Sequence, residues 1–156
     1  MGLDMYFRKK TYVKNWGHTP KEKEFEIDIK RGGSPCVFIK PERIEVIVEK
    51  VGYWRKFNAL HQWFVDNVQK GVDDCGEYYV PIEKIEELID VLKEVRDNPS
   101  TADETLPTQA GFFFGNTDYD EYYYQEVNET IELLERLLQE DDENEALIDY
   151  YYSSSW

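Results

Sequence analysis

Cysteine is scarce in this chain of 156 residues, with only Cys36 and Cys75. Two thiols cannot build the cross-linked framework of a small secreted domain, and they suit a reducing compartment. Histidine is equally scarce. His18 and His61 stand far apart, with no His-x-x-x-His or Cys-x-x-Cys spacing, so the sequence calls for no metal and no cofactor. No apolar run approaches the roughly 20 residues of a membrane-spanning helix. The first ten residues lack the apolar stretch of a secretory signal, and Tyr6 stands where a myristoylation pattern needs Ser or Thr. These absences predict a cytoplasmic protein that stays off membranes. The phosphate-cradling, dinucleotide-binding and nucleophile-elbow patterns are missing as well.

What the chain has is enough apolar material for one core. Leu, Ile, Val and Phe make up 40 residues, above the range of disordered chains, and the length suits a single domain spanning 1–156. Acids outnumber bases 33 to 18, a net charge of −15. Residues 1–96 hold 17 of each sign, whereas residues 97–156 hold 16 acids and one base, Arg136. A field of that sign repels polyanions, which argues against direct binding of nucleic acid or anionic membranes. It favours either a solubilising face or a contact with a basic protein surface.

The hydrophobic pattern predicts an α+β domain, an antiparallel sheet with about three helices packed on it. Strands are expected over Met5–Val13, over Glu24–Lys30 where Phe25, Ile27 and Ile29 alternate with charges, and over Ile44–Val48. Connections between them are too short for parallel crossovers. Helices are expected over Asn58–Gln69, from Pro81 through Val95, and from a cap at Asp118 to about Glu140. The last of these turns Tyr123, Val127, Ile131, Leu134 and Leu138 inward. Glu77–Val80 and Phe112–Phe114 read as short strands or buried loop, Glu140–Glu145 as an acidic linker, and the tyrosine-rich tail from Leu147 as a strand returning to the sheet.

Chemistry is densest from Val51 to Phe64, at a strand-to-helix junction. Arg55 and Lys56 can neutralise phosphate, Tyr53 or Trp54 can stack a flat ring, and Asn58 and His61 can hydrogen-bond. A helix N-terminus adds unpaired N–H groups and a positive dipole end. The plainer reading makes Trp63 and Phe64 core, Trp54 half core, and Arg55 the partner of a nearby acid. Gln109 and Asn116 flank Gly111-Phe112-Phe113-Phe114-Gly115 and could close the other side of a pocket, although core packing explains the phenylalanines equally well. Asp73-Asp74-Cys75 before Gly76 reads as a turn, and a Cys75–His61 pair or an Asp118–Asp120 pair gives no compelling enzyme. A competing partner surface is the acidic helix with Glu126, Glu129, Glu132 and Glu140, docking on a basic cleft.

The opening Met1-Gly2-Leu3-Asp4-Met5-Tyr6, the Val51-Gly52-Tyr53-Trp54-Arg55-Lys56 stretch, the Gly111–Gly115 block and the closing Ser154-Ser155-Trp156 together resemble a family of small bacteriophage and prophage proteins. The resemblance covers most of the chain and transfers no catalytic residue. It implies a phage product acting in the host bacterial cytosol. Non-enzymatic proteins of that origin counter host defence by sequestering a signalling nucleotide or by occupying a protein surface. The leading expectation is therefore capture of a small anionic, aromatic, nucleotide-like ligand, helped by a homo-oligomer in which two partial pockets face each other. The acidic inhibitor, a nucleic-acid mimic, is second, and an enzyme with unrecognised chemistry is third.

Overall fold

Four strands pair antiparallel in the order β4-β1-β6-β5, which confirms the α+β class. They are β1 (Asp4–Tyr12), β4 (Val46–Arg55), β5 (Tyr78–Val80) and β6 (Ile148–Ser155); a separate two-residue ribbon pairs β2 (Lys30–Arg31) with β3 (Ser34–Pro35). The helices are α1 (Asn58–Asn67), α2 (Ile82–Asp97), the single turn α3 (Ala102–Thr105) and α4 (Glu121–Asp141). This computed structural model describes residues 2–156; Met1, which opens the first resembling segment, lies outside them.

Alternation along β1 sets the layers. Met5 and Phe7 are fully buried on the face that receives the helices, while Tyr6, Arg8 and Lys10 stand on the other. Tyr150 stacks on Phe7 at a centroid distance of 5.5 Å, and Tyr152 stacks on Phe64 of α1 at 3.9 Å, so the tail strand is a central core element. α2 contributes Ile85, Leu88, Leu92 and Val95 from one stripe, and α4 contributes Tyr123, Val127, Ile131 and Leu134. In β4, Val51 is one residue too many against Phe7 and Arg8, a bulge that turns the end of the strand. Next to it Gly52 permits close approach, since a Cβ there would stand 3.0 Å from Leu133 Cδ2 and 3.1 Å from Phe7 Cβ.

Several expectations are corrected. Glu24–Lys30 alternates but forms no strand before Lys30, because none of its side chains reaches the core and the Asn15 side chain takes up the backbone N–H and C=O of Phe25, each at 2.9 Å. The cap of α4 is Asp120, which accepts from the Tyr123 N–H at 3.0 Å, rather than Asp118. On that helix Leu137 is buried deeper than Leu138. Residues 140–145 finish α4 and enter a 3-10 turn, so they are no linker: Asp141 accepts from Lys9 Nζ at 3.0 Å and from the Tyr150 hydroxyl. Phe112–Phe114 is a turn, with Phe112 almost wholly exposed.

Candidate functional site

The junction between β4 and α1 gathers segments remote in sequence. Leu3 N–H donates to the Phe113 carbonyl at 2.9 Å, and Lys56 N–H donates to the Leu3 carbonyl at 2.8 Å. Asn58 is buried and fully engaged. Its amide donates to the carbonyls of Phe114 (2.9 Å) and Asn116 (2.8 Å), and its oxygen accepts from Gln109 N–H (2.9 Å). One side chain thus ties the loop before α4 to the start of α1, and its bonding capacity is nearly used up in doing so. Thr108 completes the loop, its backbone N–H donating to the Tyr119 phenol oxygen at 3.0 Å and its Oγ1 donating to the Thr117 carbonyl at 2.9 Å.

A cleft of about 190 Å³ opens beside this tie. Arg55, Lys56, Phe57 and Asn58 form one wall, and Asn116, Asp118, Asp120, Tyr122 and Glu126 face them. Two helix N-termini meet there, that of α1, whose N-cap Phe57 offers no side-chain acceptor, and that of α4, capped by Asp120. Lys56 (φ 58°) and Gly115 (φ 84°) both adopt left-handed backbone where the two walls touch, and a Cβ on Gly115 would stand 3.1 Å from Lys56 Cβ. Tyr122 is largely exposed at the rim. Glu126 sits between helix and strand, where burial first and the neighbouring Glu129 second hold its carboxyl above the usual range.

The sequence-derived set divides across three places. Arg55, Lys56, Asn58 and Asn116 line the cleft; Gln109 does not, its backbone N–H bonding Asn58 while its side chain is exposed. Trp54 is in the core, its indole N–H donating to Thr130 Oγ1 at 2.9 Å. Tyr53 stands on the open sheet face, its hydroxyl bonded to Asp4; that bond, followed by the Arg55 charge 2.9 Å away, lowers the Asp4 carboxyl below its ordinary value. His61 is fully buried, with Nδ1 2.6 Å from the Tyr152 hydroxyl and Nε2 donating to Asp73 Oδ2 at 3.0 Å. The other Asp73 oxygen accepts from Trp156 Nε1 at 3.1 Å, so this relay fastens the C-terminal strand to α1. Among the acidic-surface residues, Glu126 faces the cleft, whereas Glu129, Glu132 and Glu140 are exposed along α4.

Sequence reasoning missed Tyr122 and Thr130, and it considered Asp118 and Asp120 only as a pair of carboxylates, set against a capping role for Asp118. The signal for Tyr122 was available: it follows a helix cap and lies outside the apolar stripe of α4. Comparison with protein-family models, with curated proteins and with solved structures returns no match. Among the described residues, no group of His, Cys, Asp and Glu has a metal-holding arrangement, and no helix is long and apolar enough to cross a membrane.

Proposed function

We propose that the protein is a binding protein that captures a small nucleotide-like anion in the cleft between α1 and α4 and does not transform it. The N-terminus of α4 is already met by Asp120, and the convergence of Arg55, Lys56 and the N-terminus of α1, which has no side-chain cap, carries this reading. Each favours negative charge, and together they neutralise a phosphate. Tyr122 supplies a ring at the rim for stacking, and Asp118 accepts from a base N–H or a ribose hydroxyl. His61, the natural proton carrier, faces Tyr152 and Asp73 inside the core, which supports retention over turnover. A volume of about 190 Å³ lies below the roughly 300 Å³ at which ligand pockets begin. The cleft therefore takes the phosphate-sugar or base portion, and a second copy facing it would enclose the rest. The likeness to bacteriophage proteins supplies the setting, in which capture of a signalling nucleotide deprives a bacterial defence of its messenger.

Calorimetry against linear and cyclic nucleotides tests the reading. Binding of at least one is expected, weakened about tenfold or more by Arg55→Ala or Lys56→Ala. No heat with any nucleotide, or unchanged heat in both variants, would refute it. A second reading rests on α4, where Glu129, Glu132 and Glu140 are exposed with no cation within ion-pair distance among the described residues. An acidic helix of this kind docks on a basic protein surface. Its mark is affinity that falls steeply with salt and with charge reversal at those glutamates; ligand capture in the cleft is much less sensitive to the charge reversals.

A further inference from the structure

The charge of −15 is not the charge of every surface. Residues 1–56, which comprise β1, the arm of residues 14–45 that follows it, and β4, carry thirteen cations against eight carboxylates, whereas residues 57–156 carry five against twenty-five. By count the first is a basic unit and the second an acidic one, and the basic excess is shared among surfaces: Lys9 pairs with Asp141 on the helix side, Lys56 lines the cleft, and the arm holds seven cations against six carboxylates. Helices cover one face of the sheet, and the basic unit provides most of the other. On that open face cations lie over tyrosine rings: Arg8 over Tyr6 at 4.7 Å, Lys10 over Tyr151 at 4.0 Å and Lys50 over Tyr53 at 5.4 Å. The pattern continues onto the arm, with Lys14 over Trp16 at 4.6 Å and Arg31 over Phe38 at 5.7 Å. These are all the cation–π contacts among the described residues, and every cation in them belongs to the basic unit. Tyr79 extends the ring surface across the sheet, 5.9 Å from Tyr151. Three carboxylates share the face: Asp4 paired with Arg55, Glu77 with Lys10, and Asp149 bonded to the Tyr12 hydroxyl. Arg8 and Lys50 have no carboxylate partner among the described residues.

We propose that this open sheet face, continued by the arm, binds single-stranded nucleic acid. Alternating flat rings and cations are what such a strand requires, since bases stack on the rings and phosphates draw the cations off them. The cations already sit within reach of the rings, so one short side-chain movement serves both contacts. A duplex hides its base faces and gains only the charge contacts. The inference is independent of the cleft, and it revises the expectation drawn from net charge, which averaged two opposite units.

Fluorescence anisotropy with labelled oligothymidylate and oligouridylate of about 20 nucleotides tests it, with duplex DNA and polyglutamate as competitors. Binding of at least one oligonucleotide is expected, falling at least tenfold between about 50 and 200 mM salt. The paired change Arg8→Ala with Lys50→Ala should weaken it about tenfold, and Tyr6→Leu with Tyr151→Leu should weaken it while leaving the salt slope in place. Lys14→Glu on the exposed arm, where folding is not at stake, should weaken it too. Which oligonucleotide binds tighter distinguishes DNA from RNA. No binding at low salt, or binding that none of these variants changes, would overturn the proposal. Competition by polyglutamate equal to that by oligothymidylate, with the leucine variants silent, would also overturn it and assign an acidic protein to this face.

Discussion

The two ends of β4 lead into regions built on opposite terms. Past Arg55 the chain enters the junction, where polar side chains are buried and bonded: Asn58 to three backbone groups, His61 to Tyr152 and Asp73, Trp54 to Thr130. Before Val46 lies the arm, residues 14–45, in which no side chain is buried although Trp16, Phe25, Val37 and Phe38 are exposed. The junction is held by long-range contacts whose loss leaves unsatisfied groups inside. The arm is held by local bonds such as those of Asn15, whose loss leaves groups in water. A bonded polar group in the interior costs little while paired and much when orphaned. Stability should therefore depend on the junction far more than on the arm.

The largest expected effect is that of Asn58→Ala, which orphans the Phe114 and Asn116 carbonyls and the Gln109 N–H. A loss of about 3 kcal/mol in urea unfolding is expected, at about 1 kcal/mol for each bond. A loss below about 1 kcal/mol would mean that the loop holds itself and the contrast is false. A smaller effect comes from Glu126→Gln. Because burial raises the Glu126 carboxyl in the folded protein, the folded state binds its proton more readily than the unfolded chain does. The charged form therefore destabilises at pH above the folded value, and this penalty disappears as pH falls below the unfolded one. The variant should melt higher than the parent at about pH 8 and equally at about pH 3 in calorimetric scans. An equal gain at both would assign the effect to packing. The smallest effect is expected from replacing residues 15–43 with a tight turn, which should move the melting temperature by no more than about 3 °C. A larger fall would reveal support from the arm that its exposure does not suggest.

The sheet and its helices were legible wherever pattern and packing agree. β1, α1, α2 and the tyrosine-rich β6 were visible because periodicity and turn residues pointed the same way, and Pro81 marked the start of α2. The segment around Phe25 misled because alternation states only that one face is apolar, not that anything lies against it. At the candidate site Arg55, Lys56 and Asn58 were found from their density at a helix start. The directions of Trp54 and His61 were not readable, since each depends on a partner from a distant segment, Thr130 for one and Tyr152 with Asp73 for the other. What charge says depends on where the chain is divided. Division at residue 96 gives a neutral front, whereas division at the junction gives thirteen cations against eight carboxylates before it and five against twenty-five after it.

Amide-resolved magnetic resonance on isotope-labelled protein titrated with nucleoside monophosphates tests the central claim, that the α1–α4 cleft is the ligand site. Capture there predicts saturable shifts at residues 55–58 and 115–122 that disappear in the Lys56→Ala protein, with the amides of Tyr79 and Tyr151 unmoved. Shifts confined to the open sheet face, or none at any concentration, would contradict it.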